Sequence, residues 1–350
     1  METACTLPPS LSGASTHIPG EGAAPAGFRS DLLRWRQLVS VDWLAALLVG
    51  DPVPAAPAAD GQLFEVACDG LDVFLCGHIP GAQYLDTRQF EQLPFWNKVP
   101  QHEMLLALQR LGIGPNTTVV LCAHNMLAAA RVAHLMLVAG VVDVRLLDGG
   151  MVAWCAAGYA LHAGAEPAAE VKALTIAAQA KRVEGDANHI ASAPGAAFSM
   201  RFETRPEYLI HTAQVKSLMA QPDRALVSIR TRAEYMGETS GYSYIDARGE
   251  IDGALWGHAG KDGDVNSMSN FQDALGRMKP AAEITSLWRE AGIRPEMQIA
   301  FYCGTGWRAS MAFFYAWLMG WEHISVYDGG WFEWSSDPAN PVICQTALQR

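Results

Sequence analysis

Cys303-Gly304-Thr305-Gly306-Trp307-Arg308-Ala309-Ser310 stands between an apolar run, residues 297–302, and an apolar run of helical length, residues 311–319. The octet therefore reads as a loop where a strand stops and a helix starts. A cysteine at that junction meets unpaired backbone N–H groups and the positive end of the helix dipole, which favour a thiolate over a thiol. Gly304 and Gly306 can take positive φ values and turn successive amides inward around the sulfur as an anion-binding nest. Arg308 adds a fixed positive charge. Cys303 is the candidate nucleophile, and Gly304, Thr305, Gly306, Trp307, Arg308 and Ala309 are the candidate loop and substrate-binding residues.

Short patterns of this kind recur by chance, so the flanking sequence decides. Downstream lies Ser325-Val326-Tyr327-Asp328-Gly329-Gly330-Trp331-Phe332-Glu333-Trp334. Upstream lie Leu226-Val227-Ser228-Ile229-Arg230-Thr231-Arg232-Ala233-Glu234-Tyr235 and Gly249-Glu250-Ile251-Asp252-Gly253-Ala254. Loop 303–308 resembles the active loop of the rhodanese-like sulfurtransferases, whose cysteine opens a loop often of the form C-x-x-G-x-R. The downstream segment resembles that family's strand, Asp-Gly-Gly turn and tryptophan-bearing helix. The upstream segments resemble its early strand with the helix start behind it, and its second signature.

The chain also repeats itself. Val144-Arg145-Leu146-Leu147-Asp148-Gly149-Gly150 with Trp154 mirrors the segment ending Asp328-Gly329-Gly330 with Trp334, and Gly77-His78-Ile79-Pro80-Gly81-Ala82 mirrors residues 249–254. A repeat of this kind implies two units. Asp328 follows Cys303 by 25 residues, and the same interval back from Asp148 lands on Ala123. The first unit's Cys122 thus falls one residue early, in register with Tyr302, and its loop lacks both glycines. A one-residue shift on a strand turns a side chain to the opposite face. Cys122 is therefore expected to pack as a small hydrophobe and the first unit to be non-catalytic; a sulfur relay through Cys122 is the alternative.

Half of the 350 residues are hydrophobic, enough for two cores of ordinary domain size. Seven cysteines, an odd number without a C-x-x-C pair, fit neither a disulfide framework nor a zinc site, so reducing, cytoplasmic surroundings are expected. Residues 1–28, rich in Pro, Gly, Ala and Ser, lack a basic n-region and read as a flexible tail. No apolar run reaches membrane-spanning length, and a net charge of −11 argues against general nucleic-acid binding. The expected division is a tail 1–28, a non-catalytic unit 29–162, a linker 163–199 with a short helix near 171–180, and a catalytic unit 200–350. Within each unit, strand-length apolar runs such as 63–66, 118–122 and 144–147 alternate with helical stretches such as 41–49, 104–111 and 128–138. Such alternation argues for an α/β fold, a mainly parallel sheet with helices on both faces. The family resemblance implies the same fold in tandem.

The resemblance implies a two-step sulfur transfer that needs no metal or cofactor. A Cys303 thiolate attacks the outer sulfur of a donor such as thiosulfate, and inward amides of residues 304–309 stabilise the resulting persulfide without a general base. An acceptor, cyanide or a thiol, then removes that sulfur. Cysteine phosphatases use a similar cradle with one more residue than the four that separate Cys303 from Arg308, so a single sulfur atom suits this loop better than a phosphate. Cys-Gly-Thr-Gly is similar to the neutral loop start of mercaptopyruvate enzymes. Arg308, however, favours a dianionic donor, and Glu234, at the position where those enzymes carry an arginine, would repel a substrate carboxylate. The loop CGTGWRA with Trp334-Ser335-Ser336-Asp337-Pro338 is most similar to a bacterial multi-domain subgroup of thiosulfate sulfurtransferases. Thiosulfate is the expected donor, with mercaptopyruvate, or a persulfide carrier loaded by a partner in a sulfur relay, as alternatives.

Two departures from the family pattern stand out. Ser228 replaces the usual aspartate of the early signature, which removes the expected buried support for Arg230, and Glu250 and Asp252 replace the His and Pro kept at His78 and Pro80. Residues 237–248, with Tyr242 and Tyr244, and residues 256–270 read as surface loops with a candidate substrate rim. Trp317, Trp321, Trp331 and Trp334 are expected in packing, whereas the Trp307 ring is placed to wall the pocket. His124 and His258 are expected to take no part in sulfur transfer.

Overall fold

In the computed structural model, which describes residues 23–57, 60–164 and 201–344, the run Thr118–Cys122 shows why the chain folds as it does. All five residues are buried, with Val119 and Leu121 packed in one core and Val120 and Cys122 in another. A strand buried on both faces needs helices above and below it. The first half supplies strands β1 (Leu38–Val39), β2 (Gln62–Ala67), β3 (Gln83–Asp86), β4 (Glu91–Gln92), β5 (Asn97–Lys98), β6 (Thr118–Cys122) and β7 (Asp143–Leu147). Helices α1 (Val41–Leu48), α2 (Leu71–Cys76), α3 (Gln101–Arg110), α4 (Met126–Ala139) and α5 (Gly150–Ala156) run between and after them.

The second half supplies β8 (Leu209–Ile210), β9 (Arg224–Ser228), β10 (Glu250–Ile251), β11 (Leu255–Trp256), β12 (Gln298–Tyr302), β13 (Ile324–Tyr327) and β14 (Val342–Ile343). Its helices are α6 (Thr212–Met219), α7 (Arg232–Met236), α8 (Ala281–Glu290), α9 (Trp307–Leu318) and α10 (Gly330–Ser336). The two main sheets run in the orders β1-β7-β6-β2-β3 and β8-β13-β12-β9-β11, with every pairing parallel. One order maps onto the other strand for strand, so the repeat seen in the sequence is a repeat of the fold.

Register bears out the one-residue offset. Cys122 pairs with Glu65 as Tyr302 pairs with Ser228, which makes Cys122 the counterpart of Tyr302 rather than of Cys303. Cys122 is buried beside the Phe64 carbonyl at 3.5 Å, and burial pushes its thiol well up.

Two helices join the halves. α4 and α9 pack against each other inside one shared core. Both are apolar almost all round, as a helix enclosed on every side must be. The Asn125 side chain caps α4 by accepting from the Leu127 N–H, and Gly140 ends it at φ +96°. Trp317 and Trp321 lie in this shared core, and Trp331 and Trp334 in the core on the far face of the second sheet, in keeping with their expected packing roles. No helix among the described residues is long and apolar enough to cross a membrane. The helix expected near 171–180, residues 165–199 of the expected linker and residues 1–22 of the expected tail lie outside the described residues, whereas Phe28, at the end of the expected flexible tail, packs edge-on against Trp35 and Trp43.

Candidate active site

Strand β12 ends at Tyr302, whose side chain is buried on the far face; Cys303 follows, 1% exposed, and α9 begins at Trp307. The Gly306 amide donates to Cys303 Sγ at 3.3 Å. Gly306 sits at φ +99°, as the expectation for a turned-in amide requires. Gly304 differs from that expectation. Its φ is not left-handed, and its amide donates to Tyr242 Oη at 3.2 Å instead of turning to the sulfur. Glycine is needed there for space, because a Cβ would collide with the Tyr242 ring.

The Asp-Gly-Gly turn holds the loop from beneath. Trp331 N–H donates to the Cys303 carbonyl at 2.7 Å and Phe332 N–H to the Gly304 carbonyl at 3.0 Å. Gly330 lies at φ +57°, and a Cβ on it would come within 2.6 Å of the Cys303 oxygen. The motif therefore exists to let the start of α10 approach the loop backbone.

Arg308 corrects a charge argument made from the sequence. Its guanidinium is buried, with Nη1 and Nη2 each donating to a Glu234 oxygen at 2.8 Å and Nη2 also to Tyr242 Oη at 2.8 Å. Burial alone would push the Glu234 carboxyl up; the Arg308 and Arg230 guanidiniums outweigh it and hold the carboxyl below its ordinary value. The pair neutralises itself, so Arg308 is not a free cation for a dianionic donor and Glu234 is not a free repellent for a carboxylate.

Arg230 corrects a second one. It is fully buried, donates to the Gly249 carbonyl at 2.8 Å, lies 3.5 Å from Glu250 and stacks over Trp331 at 4.9 Å. Glu250 supplies the carboxylate that Ser228 lacks. Ser228 Oγ donates to it at 2.7 Å and the Tyr302 hydroxyl donates to it as well. Burial pushes the Glu250 carboxyl up to about 7. The two departures at Ser228 and Glu250 thus make one joint structure.

A cavity of about 580 Å³ opens over the loop between the two halves. Thr305, Trp307 and Arg308 form its loop side, and Tyr242 and Tyr244 its rim, with Val265 and Asn266 from the segment 256–270. Ala309, buried completely, is packing behind the loop. The first half contributes Cys68, just past β2, Thr87 and Arg88, just past β3, together with Trp96 and Leu127. A site at the carboxyl ends of parallel strands is where an α/β sheet offers a crevice. Neither His124 nor His258 lines it. His124 lies 3.5 Å from Glu65, and the His258 ring sits 3.9 Å from that of Trp256.

The first half's share was missed from the sequence. Trp307 Nε1 donates to both oxygens of Glu91, at 3.1 and 3.0 Å. Arg131 Nε donates to Glu91 at 2.7 Å, and its Nη2 donates to Asp328 at 2.5 Å and to the Trp96 carbonyl at 3.1 Å. Burial, opposed in part by Arg131, pushes Glu91 up to about 7. One signal was legible: an arginine in the largely apolar run of α4, a residue that is buried only when paired.

Comparison with known proteins agrees with this architecture. The Rhodanese-like domain model matches residues 63–157 and 211–337. The chain is 45% identical over 311 residues to "Thiosulfate sulfurtransferase YnjE" of Escherichia coli (strain K12), covering 89% of this chain and 66% of that protein. The solved structure of YnjE has a TM-score of 0.77 at 44% identity, covering 89% of this chain and 69% of that one. An anaerobic ergothioneine biosynthesis enzyme from Chlorobium limicola, solved with trimethyl histidine, has a TM-score of 0.75 at 35% identity, covering 89% and 71%. The "Sulfur carrier protein TtuD" of Thermus thermophilus is 27% identical over 323 residues, covering 87% of this chain and 95% of that protein. The chain thus spans just under two thirds of the length of YnjE.

Proposed function

Since the chain belongs to the rhodanese-like domain family, with two copies of the domain, we propose that it is a sulfurtransferase carrying sulfur on Cys303, with thiosulfate as donor. The observation that carries this reading is Cys303 Sγ at the strand-to-helix junction beside the Gly306 N–H. The thiolate attacks the outer sulfur of thiosulfate, the sulfur–sulfur bond of the donor breaks, and sulfite leaves with the bonding pair. A persulfide remains on Cys303. The acceptor then attacks the outer persulfide sulfur and the Cys303 thiolate is restored, so no net redox change falls on the protein.

Each loop residue has a role in this reading. The Gly306 amide stabilises negative charge on sulfur. Gly304 leaves room for Tyr242, Thr305 lines the cavity with its side chain bonded to Tyr244, Trp307 walls it, Arg308 locks Tyr242 and Glu234 in place, and Ala309 packs the loop from behind. Thiosulfate is favoured by the similarity to YnjE and no longer by charge, because Arg308 is spoken for by Glu234. The objection to mercaptopyruvate from Glu234 falls for the same reason. Cys68, Cys76, Cys122, Cys155 and Cys303 form no disulfide among the described residues, which accords with work in the cytoplasm.

A second reading concerns the acceptor. A cavity of about 580 Å³ is in the range of organic ligands and far exceeds what cyanide or thiosulfate fills. It supports delivery of sulfur to a sizeable organic acceptor, in line with the similarity to an ergothioneine biosynthesis enzyme solved with trimethyl histidine, or to a partner protein, in line with the similarity to a protein named a sulfur carrier. Initial rates with thiosulfate and cyanide test the main reading: parallel double-reciprocal lines, with turnover abolished in Cys303→Ser, are expected. Intersecting lines, or turnover surviving in that variant, would contradict it.

A further inference from the structure

Two walls of the cavity are held by one buried ion pair of the half whose loop carries no cysteine. Trp307, from the active loop, is anchored by its Nε1 on Glu91. Trp96, from the first half, sits at φ +61°. A bulky residue enters that left-handed region only where its surroundings over-determine it. The Trp96 carbonyl accepts from Arg131 Nη2, and Arg131 Nε donates to Glu91. Both charged side chains are fully buried.

The same guanidinium reaches under the loop. Its Nη2 lies 2.5 Å from Asp328, the aspartate of the turn beneath Cys303. Its Nη1 has no hydrogen-bond partner among the described residues. A Cβ on Gly306 would lie 3.1 Å from that nitrogen, so the arginine abuts the loop at the residue whose amide donates to the sulfur.

We infer that Glu91 and Arg131 are positioning residues that fix Trp96 and Trp307 as walls of the cavity and so select the sulfur acceptor. The inference rests on the reading of Cys303 as the sulfur-carrying residue. Its physical basis is steric. Attack on the outer persulfide sulfur by cyanide asks little of the walls, whereas a thiol on a bulky ring packs against them and loses its alignment with the sulfur when either is released. A pair that served stability alone would have no bearing on that difference, and apolar residues fill such sites at little or no cost to stability.

The test compares kcat/KM for cyanide with kcat/KM for 4-mercaptobenzoate in the full chain, for wild type, Glu91→Gln, Trp307→Phe and the double variant. The expected result is a fall of about tenfold or more in the aryl thiol to cyanide ratio for Glu91→Gln, whose amide oxygen can still accept from Trp307 but no longer carries the charge that strengthens that bond and pairs with Arg131. Trp307→Phe removes the donor of the same contact, so the double variant falls no further than the larger single effect. A ratio within twofold of wild type, or single effects that multiply in the double variant, would overturn the inference. If Glu91→Gln does not fold, the ratio in Trp307→Phe decides. Intact-protein mass of the wild type after thiosulfate separates the two levels: a persulfide with an unchanged ratio sinks only the inference, and no persulfide sinks the reading beneath it.

Discussion

The guanidinium of Arg308 and the carboxylate of Glu234 form a two-pronged pair, 2.8 Å at each contact, buried directly behind the active loop. Glu234 is itself fixed as the N3 residue of a capping box on Thr231, accepting from the Thr231 amide at 2.8 Å. The loop arginine is thereby tied to the start of α7 and, through Tyr242, to the cavity rim.

Removing one member leaves a buried charge unpaired. Arg308→Ala is expected to cost about 3 to 5 kcal/mol of stability, read as a fall in the denaturant midpoint. Arg308→Met with Glu234→Leu removes both charges, so stability returns in part, short of the lost Glu234 cap on Thr231, while Tyr242 loses its Arg308 donor and turnover stays low. Equal turnover in the double variant and wild type would show that the pair is mere packing.

Gly330→Ala places a methyl group against the Cys303 and Gly304 carbonyls at φ +57°. Strain at such a position is of the order of 1 to 3 kcal/mol, and here the displaced atoms belong to the active loop. Both melting temperature and turnover should fall. A variant with a normal melting temperature and normal turnover would contradict the role given to the Asp-Gly-Gly turn.

Burial, opposed in each case by weaker hydrogen-bond or charge contacts, pushes the carboxyls of Glu65 and Glu250 up to about 7. Between roughly pH 4.5 and 7 the native chain holds protons that the unfolded chain releases, so stability declines as pH rises through that window and levels off above it. Glu234 works the other way, with a lowered value, so its stabilising effect is present above the ordinary carboxyl range and fades only in more acidic solution. Melting temperature against pH should therefore fall from pH 5 to 7. A rise over the same interval would contradict the assignment.

Cys122 packs in the core on the far side of its sheet from the join between the halves. Cys122→Ser puts a hydroxyl in an apolar site and should lower stability by about 1 to 3 kcal/mol without slowing sulfur transfer. A transfer rate reduced as far as in a Cys303 variant would revive the relay.

Much of this site could be read from residue order. The apolar run 297–302, the loop glycines and the run 311–319 placed Cys303 at a strand-to-helix junction because local periodicity and turn chemistry act over a few residues. The interval from Cys122 to Asp148 likewise exposed the offset of the first unit, since strand faces alternate strictly. What stayed hidden were pairings across long separations. Arg308 with Glu234, Ser228 with Glu250, and Glu91 with Trp307 lie 74, 22 and 216 residues apart. Charges read singly from a sequence look free. Only the fold shows that they cancel, which is why the argument for a dianionic donor from Arg308 failed while the argument for Cys303 did not depend on it.

Intact-protein mass after brief exposure to thiosulfate tests the central claim most directly. The mass is expected to rise by one sulfur atom in the wild type, to return on addition of cyanide, and to stay unchanged in Cys303→Ser. An unchanged mass in the wild type, or the same gain in Cys303→Ser, would contradict a persulfide on Cys303.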